Sequence, residues 1–198
     1  TGSGKSTVAK LALRFHDVTG GEVDFCGTDV RRLTQGDLRR RIAYVPQQAW
    51  LFAGTVASNL QSGAPGADAA AMRHALEVAQ ADFITGDADG LARRVSQGGT
   101  NFSGGQRQRM EIARVLAQDP TIIILDEATS ALDAKTEYDV VNSIKDRGIT
   151  CIVVAHRLST IRDCDEIIVL DGGKVVERGT HEELMAHGGY YTELVSNE

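Results

Sequence analysis

The first ten residues read TGSGKSTVAK, and Gly4, Lys5, Ser6 and Thr7 put a glycine, a lysine and two hydroxyls in consecutive positions. Small residues let backbone N–H groups close around the oxygens of a phosphate. A lysine can reach the outermost oxygens, and a serine hydroxyl can ligate a divalent cation. Val8, Leu11, Ala12 and Phe15 follow at i, i+3, i+4 and i+7, the spacing of one apolar helix face, so the run feeds a helix N-terminus whose dipole favours an anion. Thr1, Gly2, Ser3, Gly4, Lys5, Ser6 and Thr7 are therefore candidate phosphate contacts, with Ser6 also a candidate Mg²⁺ ligand. The same residues would serve as a Gly/Ser turn capping a helix. The nucleotide loop GxxxxGK[ST] needs its first glycine five positions before the second, which with Gly4 as the second falls before Thr1.

A second candidate lies in IIILDEATSALD, residues 122 to 133, where Asp126 and Glu127 end an apolar run. Ligands of open α/β sheets sit at such strand ends. Asp126 is placed to hold Mg²⁺ through its water shell, and Glu127 to take a proton from an attacking water. Without the lysine loop the two would read as solvated strand-end carboxylates.

The third candidate is NFSGGQRQRMEIARVL, residues 101 to 116. Ser103 and Gln106 have the S-x-x-Q spacing of a capping box. Capping does not account for Gly104 and Gly105, each of which lowers helix stability by about 1 kcal/mol relative to alanine. Two glycines fit a helix start that a second anion must approach closely.

The elements that must position these residues alternate in type. Residues 21 to 27, 41 to 46, 121 to 125, 149 to 155 and 166 to 170 read as strands. The last three are continuously apolar, as in parallel strands covered on both faces. The segment from 171 to 179 reads as a turn and an edge strand, and 180 to 187 and 189 to 196 as closing helices. Residues 55 to 85 are alanine-rich with helical spacing at Met72, Leu76 and Ala79, and a helix from Gln106 to Ala117 stops before Pro120. The expectation is an α/β fold of the nucleotide-loop NTPase type, a mostly parallel sheet flanked by helices. Residues 1–47 and 104–198 would form one α/β core and 48–103 an inserted helical subdomain.

Composition narrows the function. Twenty-one Lys and Arg against 27 Asp and Glu give a net charge of −6, which argues against nucleic-acid binding through phosphates. No apolar run approaches the roughly 20 residues of a membrane-spanning helix. Cys26, Cys151 and Cys164 show no CxxC spacing and Cys151 reads as a buried thiol in a strand, so a reducing cytosol is expected, and no signal-peptide pattern argues otherwise.

With SGGQ standing after the lysine loop and before ILDEATSALD, the chain resembles the nucleotide-binding domain of an ATP-binding cassette (ABC) transporter over essentially its whole length. The resemblance implies an ATPase using ATP and Mg²⁺. It also implies a head-to-tail dimer with a second nucleotide-binding domain, the same or different, in which Ser103, Gly104, Gly105 and Gln106 of one protomer close on the ATP held by the other. Gln47, in YVPQQ, matches the family glutamine that approaches Mg²⁺ and the attacking water; on its own it reads as part of a polar turn. Asp133 matches the loop aspartate that communicates across the dimer, and would equally serve as N-cap of the helix from Ala134. His156, after the 149 to 155 strand, matches the family histidine that contacts the γ-phosphate. His16, His74, His181 and His187 have no such placement.

LFAGTVASNL and HRLSTIRDCDEIIVLDGGKVVERGTHEEL resemble the exporter branch, and VSQGGTNFSGGQ resembles bacterial peptide and bacteriocin exporters. Gln97 stands where that pattern usually has a glutamate and Phe102 where it usually has a leucine. The resemblance implies a transmembrane domain fused upstream and a place on the cytoplasmic side of the membrane. It further implies an N-terminally truncated domain without the strand that anchors the lysine loop and the upstream β-region that stacks on adenine. Such a fragment alone is expected to bind ATP weakly and fold marginally. The alternative is a soluble ABC-type switch acting in translation or DNA repair.

Overall fold

The computed structural model describes residues 3–154 and 157–196. In chain order come α1 (Lys5–Ala12), β1 (Asp24–Phe25), β2 (Thr28–Asp29), α2 (Gln35–Arg41), β3 (Ile42–Val45), β4 (Gly54–Thr55), α3 (Val56–Gly63), α4 (Ala69–Val78) and α5 (Asp82–Thr85). They are followed by β5 (Arg94–Val95), α6 (Gly104–Leu116), β6 (Ile122–Asp126), α7 (Ala134–Asp146), β7 (Thr150–Val154), α8 (Leu158–Ile161), β8 (Ile167–Asp171), β9 (Lys174–Gly179), α9 (His181–His187) and α10 (Tyr190–Ser196). The chain is α/β, as its residue pattern implies. It divides into two compact units, Thr1–Thr34 with Val153–Glu198, and Gln35–Ile152.

In the Gln35–Ile152 unit, β6 is the buried centre of a sheet ordered β3-β6-β7. Strands β3 and β6 run parallel, with Ile42 opposite Ile122 and Val45 opposite Leu125. Ile123, Ile124 and Leu125 are fully buried, the consequence of a β-branched apolar run with no polar face to turn outward. Helix α6 supplies Met110, Ile112 and Leu116 to the core, α3 supplies Val56 and Leu60, and α4 supplies Met72 and Leu76. Burying each such side chain contributes about 1.5–3 kcal/mol relative to leaving it in water. A buried guanidinium joins α6 and α3 to the loop after β3. Arg114 pairs with Glu111 at 2.9 Å and donates to Asn59 Oδ1 and to the Trp50 carbonyl at 3.0 Å each.

The sheet departs from the sequence expectation at two strands. Residues 166 to 170 are not a covered parallel strand: β8 pairs antiparallel with β9, with a register shift between Val169 and Leu170, and Ile168 is 53% exposed. In β7 the exposure alternates, Ile152 faces out, and Cys151 is half-buried rather than buried. Apolar runs do not say how many faces are covered; of these three, β6 is the one enclosed as a parallel core strand should be.

In the other unit, residues 21 to 27 are not one strand. Cys26 (φ 51°) and Gly27 (φ 77°) form a two-residue turn joining β1 to β2, and Asp24 Oδ1 accepts from the Gly27 N–H at 2.6 Å. Helix α1 buries Ala9, with Leu13 just beyond its end, whereas Val8 and Phe15 are exposed, so its inner face is offset from the i, i+3, i+4, i+7 stripe counted from Val8. The β8–β9 hairpin packs against Leu184 and Tyr191. Among the described residues no helix is long and apolar enough to cross a membrane.

Candidate functional site

At the C-terminal end of β6, in the Gln35–Ile152 unit, the two adjacent carboxylates meet different surroundings. Asp126 is buried, and its Oδ2 accepts a 2.9 Å hydrogen bond from the Tyr44 hydroxyl on the neighbouring strand β3. Burial, with the bond to Asp126 adding to it, pushes the Tyr44 phenol up to about 12, so at neutral pH it keeps its proton and donates it to the carboxylate. Glu127 is half-buried and has left the strand: its φ of 55° is left-handed, a conformation costing on the order of 1 kcal/mol for a side chain with a Cβ. That turn sends its carboxylate to the Gln47 side chain, whose Nε2 donates to Glu127 Oε2 at 2.7 Å. Gln47 follows β3 directly after Pro46, so parallel pairing of β3 with β6 is what brings a glutamine and a glutamate 80 residues apart into contact. A carboxylate held by an amide donor next to a second, buried carboxylate can accept a proton from a water placed at the strand end.

Helix α6 begins in the same unit. The predicted capping box is present: Ser103 Oγ accepts from the Gln106 N–H at 3.2 Å, and Gln106 Oε1 accepts from the Ser103 N–H at 2.9 Å. The two glycines differ in their surroundings. A Cβ on Gly105 would stand 3.0 Å from the Ala131 carbonyl oxygen, while one on Gly104 would meet the Ala131 side chain at an ordinary 3.5 Å. A side chain at Gly105 would thus crowd the loop after β6, a reason for glycine separate from any ligand. Asp133 is the N-cap of α7: it accepts from the Thr136 N–H at 3.0 Å and the Thr136 hydroxyl at 2.7 Å. Those bonds, the backbone one first, hold its carboxyl below the usual range.

In the other unit, Gly4 is the N-cap of α1 with φ 98°, a left-handed conformation that glycine adopts without strain, and it makes no side-chain cap bond. Lys5 Nζ lies 3.2 Å from Ser3 Oγ, and the Ser3 carbonyl accepts from the Gly173 N–H at 3.2 Å. A helix start with a glycine N-cap and an adjacent lysine fits a phosphate group, since nothing with a side chain occupies the cap. Ser6 follows in the first turn and Thr7 is exposed. Thr1, Gly2 and His156 lie outside the described residues.

Two residues that hold these loops, one on β3 and one on α6, escape sequence reading. Tyr44 sits in the quoted YVPQQ but is an ordinary strand tyrosine until its hydroxyl is seen on Asp126. Gln108 sits in the quoted SGGQRQR, and its buried amide reaches two loops. Their partners lie at least 22 residues away along the chain, beyond any local pattern.

A profile of the family described as "ABC transporter" matches residues 1–130. The chain is 49% identical over 197 residues to the beta-(1→2)glucan export ATP-binding/permease protein NdvA of Rhodopseudomonas palustris, covering 98% of this chain and 33% of that protein. It is 44% identical over 198 residues to the ATP-dependent lipid A-core flippase of Aliivibrio fischeri, covering 98% of this chain and 34% of that one. The solved structure of a bacterial Atm1-family ABC exporter with ATP bound superimposes with a TM-score of 0.92 at 40% identity, covering all of this chain and 35% of that one. The chain therefore spans about a third of the length of these relatives.

Proposed function

The chain belongs to the ABC transporter family, as an ATP-binding domain of exporter type, and on that premise we propose that it is the ATP-hydrolysing motor of a membrane exporter. The observation that carries the catalytic reading is the Gln47–Glu127 contact at the end of β6. Lys5 and the N–H groups of Ser3, Gly4, Ser6 and Thr7 hold the β- and γ-phosphates of ATP, with Thr1 and Gly2 before them. Ser6, Asp126 and Gln47 offer only oxygen ligands, the chemistry that suits Mg²⁺, which needs one or two protein oxygens beside water and phosphate. The bound ion would neutralise charge on the phosphates. Glu127 takes the proton from the attacking water, a role contributing 10² to 10⁴ in rate, or roughly 3–5 kcal/mol of barrier. Gln47 orients Glu127, and His156 contacts the γ-phosphate.

Ser103, Gly104, Gly105 and Gln106 complete the ATP site of a second nucleotide-binding domain, and Asp133 carries the signal between the two. Residues 1–47 and 104–198 act as the ATP-binding core and 48–103 as the helical subdomain. Closure on ATP and opening after hydrolysis shift a fused transmembrane domain between inward and outward states, because the closed form alone makes the γ-phosphate contacts. The domain works on the cytoplasmic side of that membrane. Relatives named as export ATP-binding/permease proteins favour this over a soluble switch in translation or DNA repair. Relatives of similar identity carry the names of different cargoes, a glucan and a lipid A core, and our reading gives cargo selection to the transmembrane domain.

The test is ATP hydrolysis by the full-length protein in lipid vesicles. The reading expects Mg²⁺-dependent turnover that Lys5→Ala abolishes; wild-type turnover in Lys5→Ala contradicts it.

A further inference from the structure

We infer that Gln108 is a positioning residue, which sets the Gln47 loop and the Ser130–Ala131 loop in register with the start of α6; the inference rests on the ATPase reading above. Gln108 lies one turn into α6 and is only 4% exposed. Its Nε2 donates to the Gln47 carbonyl at 3.3 Å and to the Ser130 hydroxyl at 3.3 Å, and its Oε1 accepts from the Ala131 N–H at 2.9 Å. A primary amide has two donor hydrogens and an acceptor oxygen, and here all are directed at two loops of the site rather than at the helix that carries them.

The grip on Ala131 has two sides. Its N–H is held by the Gln108 oxygen, while its carbonyl oxygen lies where a Cβ on Gly105 would be 3.0 Å away. The start of α6 and the loop after β6 are therefore seated on each other through one residue. The grip on Gln47 is on its backbone, and the same residue's side chain reaches Glu127 at 2.7 Å. Gln108 thus acts through Gln47 on the orientation of the proposed base, and through Ala131 on the helix start proposed to face a partner's ATP. Side-chain identity matters because only a neutral amide serves both kinds of partner: a carboxylate keeps the acceptor and loses both donors, and a thioether of similar volume loses all three bonds.

The experiment uses the full-length protein with Gln108→Met, Gln108→Glu and, as reference, Glu127→Gln. Gln108→Met should lower kcat by about tenfold or more while KM for ATP changes by less than about threefold, since misplacing a base by a fraction of an ångström acts on the chemical step. Gln108→Glu should show a deficit relative to wild type that shrinks as pH falls from about 8 to about 6, because burial raises the carboxyl's pKa and protonation restores one donor. In a double-mutant cycle Ser130→Ala should cost less in the Gln108→Met background than in wild type. Wild-type kcat in Gln108→Met, or a deficit in Gln108→Glu that is flat with pH, overturns the assignment. Failure of both variants to fold shows a purely structural role and overturns it too. If Glu127→Gln turns over normally, the ATPase reading itself fails; if Glu127→Gln is inactive and Gln108→Met is normal, only the present inference does.

Discussion

The Gln47 amide donates a 2.7 Å hydrogen bond to Glu127 Oε2, joining a residue two past the end of β3 to the residue just past β6. Two features make the contact possible. Parallel register puts the ends of β3 and β6 side by side, with Val45 opposite Leu125, and Glu127, just past the strand, takes a left-handed φ and a partner different from that of Asp126. Neighbouring acidic residues thereby receive separate tasks. Asp126 is buried and bonded to the Tyr44 hydroxyl, while Glu127 is half-buried and bonded to Gln47.

Tyr44→Phe removes the hydroxyl that fixes Asp126 and leaves the ring in place. If Asp126 holds Mg²⁺, the Mg²⁺ concentration giving half-maximal hydrolysis should rise on the order of tenfold, the usual cost of losing a partner that orients a metal-binding group. Titration of ATPase activity with Mg²⁺ checks this; an unchanged midpoint detaches Tyr44 from metal binding.

Asp133 predicts a pH dependence. Its folded carboxyl lies below the ordinary value of 3.8 because the Thr136 N–H, and then the Thr136 hydroxyl, bond the ionised form. Its contribution to stability is therefore present above 3.8 and lost as pH falls through the lowered folded value. Urea midpoints of wild type and Asp133→Ala should differ most at neutral pH and converge in acid. A gap that stays constant with pH would show that the charge on Asp133 is not what caps α7.

Head-to-tail pairing predicts the outcome of mixing defective copies. One copy with Lys5→Ala beside another with Ser103→Arg leaves one site with both halves intact; both changes on one copy beside a wild-type copy leave none. Nucleotide trapping by purified mixed pairs should follow that pattern, and the reverse pattern would place Lys5 and Ser103 on the same ATP within one chain.

Local rules carried the sequence reading wherever the interaction was local. The Ser103–Gln106 box, the Asp133 cap and the turn that stops α6 before Pro120 all connect residues three or four apart, and the structure contains each of them. The enclosed strand β6 was also legible, since a run of β-branched residues has few other homes. The antiparallel pairing of β8 was not, because apolar content does not encode strand direction and half of its faces stay exposed. Tyr44 and Gln108 were missed for a different reason. Their roles exist only once β3, β6 and α6 are packed, at sequence separations of 82 and 61 residues from Asp126 and Gln47.

The central claim, that Glu127 is the base of an ATPase, is tested most directly by kcat for ATP in the full-length protein carrying Glu127→Gln, with ATP affinity measured beside it. The account predicts a fall of at least about a hundredfold in kcat with ATP still bound to within a few-fold of wild type. A kcat near that of wild type would contradict it.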